Sequence, residues 1–237
     1  MTTPLFIDSP INVLRGDAAR VALAQTNDAA YYTEGKGVLS VPLERWQAAQ
    51  AYERFTWLNQ GLMLTEDRNS EHAAMFDGYK ALPQELGDVI ELGCGPFTNL
   101  VHILQTRIAT SVTLLDPLLG WYLDHPHCAY NGQFCGYDAH KWAASIEEYE
   151  PDFRFDTVAI INVLSHCQNA QSVFHWINAH IHNDGTLVFH EPARDIDPTQ
   201  FYDAGHPLSY TQAVIDEFLE GYTPVYKNGD YFIGRKK

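Results

Sequence analysis

The chain has 237 residues, 46% hydrophobic and 13% aromatic, ample for one packed catalytic unit, whether a single large domain or a core with a cap. Its net charge of −15 and its 15 Lys and Arg, clustered only at Arg235-Lys236-Lys237, disfavour nucleic acid and favour a small molecule as partner. No run approaches the ~20 apolar residues of a membrane span, the first residues lack a signal peptide's basic region and apolar core, and four cysteines without CxxC spacing fit reduced thiols, which together predict a cytoplasmic protein.

Residues 1–82 are expected to form an N-terminal helical cap ahead of a core at 83–237. Ser40 and Pro42 read as the start of a helix. Ala48, Ala51, Tyr52, Phe55 and Leu58 recur at helical spacing to give it an apolar face, which Trp46 and Trp57 widen. A polar run, Thr65 to His72, precedes a second helix over about 70–81 that Asn69 or Ser70 would cap, with Glu71 at its positive end. Arg68 stands alone as a cation in that run and is a candidate partner for a ligand carboxylate, with His72 facing the pocket.

Asp88 to Leu100 reads as strand, glycine turn and helix. Gly93 and Gly95 supply the positive φ and bare backbone on which a ligand can lie, at the carboxyl edge of a parallel sheet. A dinucleotide fingerprint would place a third glycine where Thr98 stands. Glu91 would repel a pyrophosphate, and it suits a cationic ligand such as a sulfonium or an ammonium.

Ser111–Leu115 is the next expected strand, ending in Asp116, an acid about 20 residues past the glycine turn that can take both ribose hydroxyls. Gln133–Ala139 is expected as a third strand ending in Asp138-Ala139. Phe155–Asn162, apolar along its length, is expected as a fourth, running into Val163-Leu164-Ser165-His166. Gly185–Pro192 is expected as a fifth strand after the turn Asn183-Asp184-Gly185. Residues 192–209, holding Phe201, Tyr202 and His206, read as a loop. Lys227-Asn228-Gly229 then joins two strand-like runs as a hairpin of type I′.

The run from Glu91 to Phe97 resembles motif I of the class I S-adenosylmethionine-dependent methyltransferases, acidic-x-Gly-x-Gly-x-Gly, with Phe97 at the last glycine. The later strands follow in that family's order, and the resemblance spans roughly 83–237. It implies an α/β, Rossmann-like doubly wound sheet of seven strands with a C-terminal antiparallel hairpin. The implied cofactor is S-adenosyl-L-methionine, with S-adenosyl-L-homocysteine as product. Its expected contacts are Glu91, Gly93, Cys94, Gly95, Asp116 and Pro117, together with Asp138, Ala139, Asn162 and Arg68. Asp138 would face the adenine amino group, and the N-terminal helices and the 192–209 loop would close over the acceptor.

Methyl transfer from a sulfonium is an in-line displacement that needs alignment first, and a base only when the acceptor must lose a proton. His166, just beyond the fourth strand, is the expected base or acceptor orienter. His190 and Glu191 form a second candidate pair, with alternation sending them to opposite faces. His180-x-His182, His125-Pro126-His127 and the Asp138/His140 group lack ligand spacing on a recognisable scaffold, so no metal is expected. The expected activity is methylation of a small molecule, with oxygen favoured over nitrogen as acceptor, and a homo-oligomer is compatible with the sequence. Two alternatives stand beside it. A non-catalytic binding or assembly protein of this fold is favoured by Phe97 and opposed by the buried acids Glu91 and Asp116. A nicotinamide-dependent oxidoreductase is opposed by Glu91, Thr98 and the terminal hairpin.

Overall fold

The computed structural model describes residues 28–59, 69–194 and 204–237. Its strands are β1 (Tyr32–Thr33), β2 (Gly37–Val38), β3 (Asp88–Leu92), β4 (Ser111–Leu115), β5 (His140–Trp142), β6 (Phe155–Ile161), β7 (Ile181–His190), β8 (Ser209–Tyr210), β9 (Tyr222–Asn228) and β10 (Tyr231–Lys236). Its helices are α1 (Leu43–Asn59), α2 (Asn69–Met75), α3 (Leu100–Ile103), α4 (Leu119–Tyr122), α5 (Ala170–His180) and α6 (Gln212–Leu219), with short 3₁₀ turns between them.

Seven strands form one sheet in the order β5-β4-β3-β6-β7-β10-β9. β5, β4, β3, β6 and β7 run parallel, and β10 pairs antiparallel with both β7 and β9. The sheet is α/β and Rossmann-like, with the expected antiparallel hairpin at its end. Beyond their first residues, and past the exposed Asp156, burial along β3, β4 and β6 follows from cover on both faces. Alternation then divides the core: Ile90, Leu92, Val158 and Ile160 pack towards α5, while Val89, Leu114, Ala159 and Ile161 pack towards α3 and Phe76. Strand order reverses between β3 and β6, which opens a crevice at their carboxyl ends.

Several expected elements differ in place. The third strand is His140–Trp142, not 133–139. Phe134 and Tyr137 instead close a tight turn through reciprocal backbone hydrogen bonds, with Cys135 and Gly136 at positive φ. The hairpin turns on Gly229-Asp230, because Asn228 pairs with Tyr231. Only Gly229 of that loop has positive φ, the requirement of a II′ turn rather than I′. Ser40 pairs with Asn169 as an isolated bridge, and α1 starts two residues after Val41, its first turn closed by the Trp46 N–H on the Pro42 carbonyl at 3.1 Å. β1, β2 and β8, none of them foreseen, make a second small sheet. No helix among the described residues is long and apolar enough to cross a membrane.

Candidate active site

The crevice holds a cavity, partly open to solvent, bounded by the β3–α3 loop, the ends of β4 and β6, the segment after β5, and α1. The β3–α3 loop is fixed first by its own backbone: the N–H groups of Gly93 and Cys94 donate to the Leu115 carbonyl at 2.8 and 3.2 Å. Gly93 and Gly95 both sit at positive φ. A side chain at Gly93 would strike Val163, whereas one at Gly95 would meet nothing within 4 Å and would enter the cavity.

Glu91 does not reach that cavity. It lies on the same face of β3 as Val89, 1% exposed, and its carboxylate turns beneath the loop. There it accepts the Asn99 N–H at 2.8 Å, the Asn99 side-chain amide at 2.9 Å, the Leu100 N–H at 3.4 Å and the Thr98 hydroxyl. Burial pushes its pKa up and these donors oppose the shift. The acid therefore shapes the loop from beneath. Asn99, which sequence reasoning missed, lines the cavity, and its buried Oδ1 has no hydrogen-bond partner among the described residues.

Asp116, at the end of β4, lines the cavity with Pro117. Its carboxylate accepts the Gly95 N–H at 3.0 Å and the Leu118 N–H at 2.8 Å. Burial pushes its pKa up to about 6 against those two donors. Asp138 is exposed and lies ahead of β5, at the wrong end of that strand to meet the cavity, and Ala139 is buried beside it without lining it. The wall beyond β5 is instead Ser145, Ile146 and Glu147. Glu147 accepts the N–H groups of Gln168 and Asn169, both at 3.0 Å. The signal for this wall, an Ala-Ala-Ser-Ile stretch after a short polar strand, is too weak to stand out.

Asn162 ends β6 at φ 56°, a left-handed conformation that asparagine tolerates, and lines the cavity. His166, also in the lining, follows on a 3₁₀ turn. Its Nδ1 lies 3.0 Å from the Gly205 carbonyl and 3.8 Å from Glu53 Oε1, and its ring is 4.1 Å from that of His206. Its own carbonyl accepts from Trp46 Nε1 at 3.0 Å and Gln50 Nε2 at 2.9 Å, both on α1. Trp46, Gln50, Glu53 and Trp57 all line the cavity, so α1 forms one of its walls.

The second expected pair stays out. Glu191 is 1% exposed and accepts the Val163 and Leu164 N–H groups at 2.8 and 2.9 Å and the Tyr210 hydroxyl at 2.5 Å. His190 faces the other way, stacked on Tyr231 at 4.1 Å and 4.7 Å from His72. Burial, then the nearby His72, lowers its pKa to about 4. His72 itself bonds the Tyr231 hydroxyl at 3.0 Å and does not line the cavity. Arg68, Phe201 and Tyr202 lie outside the described residues.

A family model described as a methyltransferase domain matches residues 64–218. Among solved structures, the chain is similar to the N-methyltransferase NodS of Bradyrhizobium japonicum WM9, solved with S-adenosyl-L-homocysteine. That match has a TM-score of 0.59 and 15% identity, over 81% of this chain and 98% of that one. It is also similar to the 1,6-didemethyltoxoflavin-N1-methyltransferase of Burkholderia thailandensis, with a TM-score of 0.58 and 18% identity over 87% and 98% of the two chains. An S-adenosylmethionine-dependent methyltransferase of Clostridium acetobutylicum ATCC 824 matches with a TM-score of 0.54 and 10% identity, over 79% and 98%. No curated protein matches the chain in sequence. The chain belongs to the methyltransferase-domain family, and its fold is that of the class I S-adenosylmethionine-dependent methyltransferases it is similar to.

Proposed function

We propose that the protein methylates a hydroxyl group of a small molecule, with His166 as general base. The observation that carries this reading is the bond between His166 Nδ1 and the Gly205 carbonyl. A carbonyl only accepts, so Nδ1 carries the proton, and the neutral ring holds its lone pair on Nε2. That is the tautomer a base needs at the end of β6.

The cavity fits the cofactor. Asp116 offers acceptors for ribose hydroxyls, Gly95 leaves room for close approach, and the partnerless Asn99 Oδ1 is an acceptor of the kind an ammonium seeks. Ser145, Ile146 and Glu147 would flank the adenine, and Asn162 the reacting end. Bound S-adenosylmethionine supplies an electrophilic methyl group with a neutral thioether as leaving group. The chain's own share is alignment, exclusion of water by α1, and acceptance of the hydroxyl proton at His166 Nε2.

A small acceptor agrees with the acidic chain. The Burkholderia neighbour, solved with 1,6-didemethyltoxoflavin, also takes a small molecule. The test is transfer of labelled methyl from S-adenosylmethionine to parallel panels of phenols, carboxylic acids and amines. Label in a phenol is expected, and label in carboxylic acids alone would remove the need for a base. Label in amines alone would overturn the oxygen preference, and unchanged turnover in His166→Ala would remove the base.

A further inference from the structure

We propose that Glu53 is a positioning residue for His166: the carboxylate of α1 holds the imidazole in place and raises its basicity, so that the base is complete only when α1 is docked. This deepens the reading of His166 as base and rests on it.

Four observations converge. Glu53 Oε1 lies 3.8 Å from His166 Nδ1, with both side chains largely buried. The Nδ1 proton, directed at the Gly205 carbonyl, is thus flanked by an anion. The same helix grips the His166 carbonyl through Trp46 and Gln50, so the turn bearing the base is held by α1 at both its backbone and its ring. Gly205 makes the approach possible: a Cβ there would stand 2.1 Å from Glu53 Oε1.

When His166 Nε2 takes a proton, the ring becomes an imidazolium with a carboxylate within 4 Å, both side chains only partly exposed. Opposite charge at that distance favours the protonated ring, against the partial burial that disfavours it. Among the described residues, His206 also lies across the face of the ring, and Cys167 is the next residue in the chain. Glu147 and Glu191 hold the backbone on either side through N–H donors.

The test is the pKa of His166 itself, read from imidazole resonances of histidine-labelled protein and assigned with His166→Ala. It needs no acceptor. Glu53→Gln keeps the shape and removes the charge, and is expected to lower the His166 pKa by about one unit. Gly205→Ala leaves Glu53 in the chain but pushes its carboxylate aside, and is expected to move the pKa the same way. Glu53→Asp is expected to restore part of the shift. The same pKa in wild type, Glu53→Gln and Gly205→Ala would overturn the proposal. A pKa that falls as expected, in a protein that methylates only amines, would leave Glu53 paired with His166 and remove the hydroxyl acceptor alone.

Discussion

Asn99 holds Glu91 twice over, through its backbone N–H at 2.8 Å and its side-chain amide at 2.9 Å, across the whole width of the glycine loop. The loop is thus tied at its far end to the strand it leaves, and its near end is tied to β4 through the Leu115 carbonyl. Its shape is set before any ligand arrives.

Glu91→Gln should therefore act on folding and on the cofactor together. Four donors converge on the carboxylate, and an amide would turn its own NH₂ towards some of them. A loss of about 3 kcal/mol is expected in urea denaturation, because a buried charged acceptor is exchanged for a mismatched donor. Binding of S-adenosylhomocysteine should weaken as the loop shifts. An unchanged denaturation midpoint would show that the carboxylate does not hold the loop.

Asp116 gives a pH signature. Its pKa is about 6 in the folded protein against 3.8 ordinarily, so the folded chain holds a proton there between those values and the unfolded chain does not. The stability this group contributes is therefore present at low pH and is lost as pH rises from about 4 to 6, a change of about 3 kcal/mol. Cofactor binding runs the other way, since ribose hydroxyls need the ionised carboxylate. Calorimetric titration with S-adenosylhomocysteine should show affinity falling below about pH 6 in wild type. Asp116→Asn should bind at least tenfold more weakly with little pH dependence. A flat wild-type profile would take Asp116 out of the ribose site.

The parts of this architecture legible in the sequence are those where burial is two-sided. β3, β4 and β6 stand out because a strand covered on both faces must be apolar throughout. β5 does not, being three residues at the sheet edge with His140 and Trp142 exposed, so the aromatic pair Phe134 and Tyr137 nearby reads falsely as the strand. Those rings are committed elsewhere: the Tyr137 hydroxyl accepts the Ala109 N–H at 2.9 Å. The site divides in the same way. Gly93, Gly95, Asp116, Asn162 and His166 follow strand ends and are found by counting, whereas Glu53 and Asn99 matter through contacts that no local spacing encodes. Glu91, His190 and Glu191 sit at strand ends too, yet alternation and waiting donors turn them away from the cavity.

His190 offers a test of that exclusion. With its pKa lowered from 6.5 to about 4, the folded protein leaves it neutral where the unfolded chain is protonated. Its contribution to stability is therefore intact above about pH 6.5 and is lost as pH falls towards 4, by about 3 kcal/mol. Its buried Nδ1 has no hydrogen-bond partner among the described residues, while its ring stacks on Tyr231 at 4.1 Å. His190→Phe keeps the stack and removes the proton, so it should match or exceed wild type at pH 7 and lose less stability at pH 5. Turnover should stay within about twofold, since a side chain outside the cavity contributes no transition-state contact. A large loss of turnover with normal stability would return His190 to the active site.

The two loop glycines should separate folding from binding. Gly93→Ala drives a methyl group to 2.4 Å from Val163 in the packed interior, at a φ of +66°. It should unfold at markedly lower denaturant. Gly95→Ala bears a similar backbone cost, about 1 kcal/mol at a φ of +53°, but its methyl group enters the cavity without striking the protein. It should remain folded and lose at least tenfold in affinity for S-adenosylhomocysteine by calorimetry, a loss that also appears as a smaller ligand-induced rise in melting temperature. Wild-type affinity in folded Gly95→Ala would mean that the ligand keeps clear of this loop and is held by the ends of β4 and β6 alone.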